Sequence, residues 1–161
     1  MTKTEYFEMV TGAYAPALGL IRMVPADKLN WRPGPTFMSL GQLICHLGTG
    51  MGAEFQCLVN NKWPTMEEMM EGMKLENLPS CSVEEAAQRL EKDKTTLRDV
   101  LNGVSDSDFA QKVVSVPWGW KAKMEIMAIY FREHFTNHKM QLFTYLKLLG
   151  LPVNTQTLYG G

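Results

Sequence analysis

The chain is 161 residues long, with 16 basic and 17 acidic side chains and a net charge of −1. That length suits a single domain, expected to span 1–161, with a core large enough to need no disulfides. Balanced charge with no basic run excludes a binder of phosphate backbones, so no nucleic-acid partner is expected, and no apolar run is long enough for a membrane span.

The opening segment carries Lys3, Glu5 and Glu8, which leaves no apolar stretch for a signal peptide. Thr2 with Glu5 has the spacing of a capping box, and the helix predicted behind it over 3–23 puts Phe7, Val10, Tyr14, Leu18 and Ile21 on one side. Pro16 is expected to kink it. Residues 24–38 hold Pro25, Pro33, Gly34 and Pro35 and read as a crossover loop. Ser39 with Gln42 opens a second helix over 40–60, carrying Leu40, Ile44, Leu47, Met51, Phe55 and Leu58. Gly48, Gly50 and Gly52 crowd its interior, where each glycine costs up to ~1 kcal/mol; room for a ligand or close helix packing would compensate.

The stretch 61–81 reads as a loop with a short helix. Its Met66–Met73 run has no interleaved His or Cys, so a surface helix is expected there rather than a soft copper site. Ser82 with Glu85 opens a third helix over 83–102, expected to end on Gly103 in the left-handed conformation. Residues 104–119 form the third connection, with a short extended piece at Val113–Val116. A fourth helix over 121–149 stops at Gly150, Leu151 and Pro152. The sum is an all-α fold, a four-helix bundle with long crossover loops.

Only three histidines occur in the chain, and His134 and His138 stand four residues apart on the fourth helix. At that spacing both rings share one face, with β-carbons roughly 5–6 Å apart, within reach of one ion. They fall in a stripe with Met127, Phe131, Tyr145 and Leu149, which turns them toward the core. Two neighbouring buried imidazoles need either two separate hydrogen-bond partners or one shared metal. His46 lies on the second helix beside Gly50, Ala53 and Cys57, where small side chains leave the groove open. The odd set Cys45, Cys57 and Cys81 lacks CxxC spacing and reads as reduced thiols of a cytoplasmic protein; Cys45 and Cys57 as soft ligands are the lesser alternative to small buried hydrophobes.

Other metal patterns fail on spacing. A zincin needs HExxH, but position 135 is Phe, and a di-iron bundle needs Glu three residues before each histidine, where Leu43 and Phe131 stand.

The segments Leu29-Asn30-Trp31-Arg32-Pro33, Ser39-Leu40-Gly41-Gln42-Leu43-Ile44-Cys45-His46, His134-Phe135-Thr136-Asn137-His138-Lys139-Met140-Gln141 and Tyr145-Leu146-Lys147-Leu148-Leu149-Gly150-Leu151-Pro152-Val153 together resemble the DinB/YfiT-like family. The resemblance implies a bundle in which His46, His134 and His138 bind one divalent transition metal, Zn or Ni above all. It implies a metal-dependent hydrolase or a thiol (S-)transferase acting on a small molecule, as in the family's bacillithiol transferases and mycothiol-dependent isomerases. The substrate side would include a low-molecular-weight thiol, and the assembly a homodimer. A non-enzymatic metal-binding or stress-response bundle is the competing reading. Lys139 stands where many members carry arginine, which puts any role of that arginine in doubt here. Three neutral imidazoles would leave coordination positions open, as in catalytic rather than structural sites. For the general base the sequence offers Glu54 and Asn137, each near the histidine line. Trp31, Trp118 and Trp120 lie in connections that are expected to close over the site as an apolar wall.

Overall fold

The computed structural model describes residues 1–160. Its four long segments are α1 (Lys3–Arg22), the pair α2 (Leu40–Leu47) and α3 (Met51–Asn60), α5 (Val83–Asn102) and α7 (Met124–Leu148). Three shorter helices, α4 (Met66–Gly72), α6 (Asp106–Gln111) and α8 (Thr155–Tyr159), lie in the connections and at the end. The expected capping boxes form at Thr2, Ser39 and Ser82, each side chain accepting from the backbone three residues on. Similar caps start the short helices, with Thr65 and Asn154 in full boxes and Ser105 as a single cap. No helix among the described residues is long and apolar enough to cross a membrane.

The bundle closes as a ring of neighbours. α1 packs on α5 and α7, and the α2–α3 pair packs on the same two helices from the other side. The chain between α1 and α2 therefore crosses the bundle, as its prolines require. It is pinned at the start of α2, where the Leu40 and Gly41 amides donate to the Trp31 and Leu29 carbonyls. Tyr6, Val10, Leu20, Leu43, Leu47, Phe55, Leu90, Leu97, Phe131 and Leu142 fill the core, each at most 1% exposed. The Tyr6 hydroxyl crosses it to donate to the Ala128 carbonyl at 2.9 Å.

Three expectations change. The predicted second helix breaks at residues 48–50, where Gly50 leaves the helical region at ψ −83°, and on either side of the break Gly48 and Gly52 lie so close to α5 that no side chain fits. A β-carbon on Gly48 would stand 2.9 Å from Arg89 Cβ, and one on Gly52 would overlap the Asp93 carbonyl. The fourth helix starts at Met124 rather than 121, since Lys121–Lys123 pair antiparallel with Val113–Ser115 as a two-stranded hairpin. Gly103 ends α5 in the right-handed region at φ −77°, because the chain continues directly into the Ser105 cap of α6 and needs no reversal. Gly150, by contrast, takes the positive φ expected of it, at +77°. The Met66–Met73 segment is a surface helix, with Met70 and Met73 more than 60% exposed.

Candidate metal centre

The geometry begins with two helix positions. His46 sits in the last turn of α2, just before the glycine break, and His134 and His138 sit one turn apart in the middle of α7. α2 packs on α7, so the three rings face one another. His134 Nε2 is 3.4 Å from His46 Nε2 and 2.9 Å from His138 Nε2, and one ring nitrogen from each of the three lies within 4.8 Å of the others. Leu47, Gly50 and Phe135 complete the lining of the cavity between them, which holds about 10 Å³. That is room for one ion or water. Gly50 is needed here for a separate reason: a β-carbon would press on the Phe135 ring at 3.3 Å.

The outer nitrogens fix what the inner ones can do. His134 Nδ1 is 3.2 Å from Glu54 Oε1, and His138 Nδ1 is 2.9 Å from Gln141 Oε1. Both partners are acceptors, so in the neutral rings both Nδ1 atoms carry the proton and both Nε2 atoms present lone pairs. Two lone pairs facing each other at 2.9 Å repel unless a cation lies between them. Nitrogens about 2.0–2.1 Å from a common ion stand about 2.9 Å apart across a right angle and about 3.4 Å apart across a tetrahedral one. The two observed separations match, so the donor set fits a divalent metal. Gln141 is itself held, its amide donating to the Tyr145 hydroxyl at 3.0 Å.

Electrostatics favour the neutral ring that a metal requires at two of the three histidines. Burial, then the neighbouring His138 and His134, pushes His46 down to about 4. His138 is lowered chiefly by burial, against a raising hydrogen bond from Gln141. His134 moves the other way, raised chiefly by its hydrogen bond to Glu54. Glu54 Oε2 is buried without a partner, so this carboxylate holds His134 with one oxygen and keeps an acceptor free on the other.

The remaining candidates are separated by this arrangement. Asn137 is exposed and makes no hydrogen bond to the histidines; taking 100° per residue, it lies about 60° from His134 on the side away from the core residues Phe131, Phe135 and Leu142. Neither Cys45 nor Cys57 joins the three histidines, Cys45 being buried in the core and Cys57 half-buried beyond Glu54. The tryptophans do not line the cavity. Trp120 packs edge-on to Tyr130 at 5.2 Å, Trp118 to Trp63 at 5.7 Å and Trp31 to Tyr145 at 5.7 Å, so they flank the histidine row at its two ends. The expected apolar wall is supplied instead by Leu47 and Phe135. Lys139 is buried and turned to the C-terminus, where Nζ donates to the Leu158 carbonyl at 3.0 Å and faces the Tyr159 ring. Gln141 was missed as a ligand support, although its i,i+3 spacing from His138 places it on the same side of the helix.

The DinB superfamily model matches residues 10–140. The chain belongs to the DinB superfamily. Solved structures agree on the fold of this DinB chain. A DinB-like protein from Bacillus cereus ATCC 10987 superposes with a TM-score of 0.74 at 16% identity, covering 95% of this chain and 96% of that one. A DinB-family protein from Exiguobacterium sibiricum 255-15 gives a TM-score of 0.71 at 20% identity, covering 98% of each. No curated protein matches.

Proposed function

We propose that this DinB protein is a metal-dependent enzyme acting on a small molecule, either as a hydrolase or as a thiol (S-)transferase. His46, His134 and His138 would hold one Zn or Ni ion. When bound, such an ion is a Lewis acid that acidifies a water or thiol entering its open positions, for water on zinc from a pKa of 15.7 to about 7. The observation that carries the reading is the convergence of three ring nitrogens, with His134 and His138 Nε2 2.9 Å apart and their Nδ1 atoms on the acceptors Glu54 and Gln141.

Two features support an open site rather than a closed storage site. No acid or thiol joins the three histidines among the described residues. Glu54, the side chain best placed to complete a fourth bond, is engaged at Nδ1, the far side of the His134 ring. Glu54 is therefore the residue assigned to orient His134; the exposure of Asn137 argues against it in that role. The cavity admits little more than the ion, so substrate would approach from the solvent side of the half-buried rings. Homodimerisation, which rests on the family resemblance, and a cytoplasmic location, which rests on the reduced thiols Cys45, Cys57 and Cys81, belong to the same proposal.

The test uses the Co²⁺-substituted protein. Cysteine and small dithiols, titrated to millimolar concentration, should produce sulfur-to-cobalt absorption, and His138→Ala should abolish it. Absence of any spectral change removes the thiol-transferase branch. A hydroxamate that also fails to bind removes the hydrolase branch and leaves a metal binder without turnover.

A further inference from the structure

α3 begins without a cap of its own. Gly50 precedes it and offers no side chain, so the first amides of the helix must be satisfied from elsewhere. Asp93 of α5 supplies the acceptors. It is only 5% exposed, and its carboxylate accepts from Gly52 N at 2.9 Å, Ala53 N at 3.0 Å and the Tyr14 hydroxyl at 2.7 Å. Gly52 is what allows the approach, since its α-carbon lies against the Asp93 backbone, 3.0 Å from Leu97 N when a β-carbon is added. A buried carboxylate at a helix N-terminus also meets the positive end of the helix dipole. No histidine of the site hydrogen-bonds to Asp93, yet two routes lead there from its partners.

The first route runs along α3. Ala53, held by Asp93, is followed immediately by Glu54, whose carboxylate reaches His134. The second runs through α1. The Tyr14 ring packs on Phe135 at 5.3 Å, and Phe135 presses against Gly50 and lines the cavity between the three histidines. A shift of the α3 start would therefore move Glu54 against His134 and Gly50 against Phe135 together.

We infer that Asp93 is a positioning residue for the metal centre, fixing through the amides of Gly52 and Ala53 and the hydroxyl of Tyr14 the α2–α3 break on which the placement of Glu54 and Phe135 depends. The inference rests on the metal-binding reading above. Burial raises the Asp93 pKa against the lowering effect of these hydrogen bonds.

Asp93→Asn tests it. Whichever way the new amide turns, its NH₂ faces a backbone N–H, so one amide of the α3 start is left unpaired. Metal affinity and the visible Co²⁺ spectrum are measured at 20 °C, where the variant is folded by circular dichroism, together with the thermal midpoint of the metal-free protein. The expected result is about tenfold weaker Co²⁺ binding, the lower end of what loss of an outer ligand support produces, with altered band positions. Leu20→Ala, a core truncation in α1, serves as a control that lowers the midpoint while leaving both metal readouts as in the wild type. A lowered midpoint with wild-type affinity and spectrum overturns the inference and makes Asp93 a helix cap only. If Asp93→Asn does not fold, Tyr14→Phe carries the test alone, with a smaller change of the same kind expected and an unchanged spectrum and affinity refuting it. Failure of the wild-type protein to bind Co²⁺ would instead sink the metal reading itself, and is seen before any variant is made.

Discussion

Removing the charge of Glu54 while keeping its shape isolates one contribution to the metal centre. The carboxylate lies 3.2 Å from His134 Nδ1 with its side chain 28% exposed, so water screens it only in part. A hydrogen bond to a charged partner contributes about 1.5–3 kcal/mol net, against about 0.5–1.5 kcal/mol for a neutral one. Glu54→Gln retains a neutral acceptor for the ring, so it should forfeit about 1–1.5 kcal/mol of metal binding, or about tenfold in affinity. Zn²⁺ competition against a chromophoric chelator at pH 7.5 reads this directly. The new amide nitrogen must take the place of Oε2, which is buried without a partner, so a small loss of metal-free thermal stability should accompany it and is measured separately. A Zn²⁺ affinity within twofold of wild type would refute the claim that Glu54 supports His134 as a ligand.

Four further outcomes are expected. His138→Ala, which removes one nitrogen of the converging set, should abolish the Zn²⁺-induced rise in melting temperature while leaving the helical circular dichroism intact; a retained rise would place the metal elsewhere. His46 ionises near 4 in the fold and near 6.5 when unfolded, so as pH falls from 6.5 to 4 only the unfolded chain takes up its proton and metal-free stability is lost across that window; the raised His134 acts only above 6.5, where its stabilisation is lost as pH rises through its folded pKa. Zn²⁺ needs the same neutral nitrogens, so its stabilisation should shrink from pH 7.5 to pH 5, and equal melting shifts at the two would count against histidine ligation. Gly52→Ala, which meets the α5 backbone, should cost about 1–3 kcal/mol or more, whereas Gly12→Ala and Gly19→Ala, with nothing within 4 Å, should raise the melting temperature through helix propensity.

The parts of this fold that local chemistry dictates were legible from residues alone. Ser82 with Glu85 and the apolar period behind it place α5 to the residue, because capping and periodicity act within a few positions of the chain. What escaped depends on partners distant in sequence. Three glycines between 48 and 52 announce either ligand space or close packing. Both are present: Gly48 and Gly52 face α5, and Gly50 faces Phe135 beside the histidines. Nothing near Gly52 in sequence says that Asp93, 41 residues away, will cap the helix it starts. For the site, the i,i+4 pair gave His134 and His138 a shared face, but Gln141 and Glu54 could be ranked above Asn137 only once α3 was seen against α7. The Lys121–Lys123 strand was read as helix because its pairing with Val113–Ser115 overrides local preference.

The unequal support of the two α7 histidines has a consequence for what the site would accept. Three neutral imidazoles and a divalent ion carry a charge of +2 in a half-buried pocket, and burying charge is costly unless it is compensated. Glu54 reduces the total to +1, while Gln141 adds no charge. The remaining unit is what an anionic donor such as a thiolate would cancel, and a neutral donor would not. This predicts that ligand preference follows charge rather than size: in the Glu54→Gln protein, anionic thiols should gain relative to neutral chelators, because the pocket then retains +2. Comparing cysteine with imidazole as competing ligands for the Co²⁺-loaded wild type and variant measures that ratio, and a ratio unchanged by the substitution would show that Glu54 orients His134 without setting the charge the ligand meets.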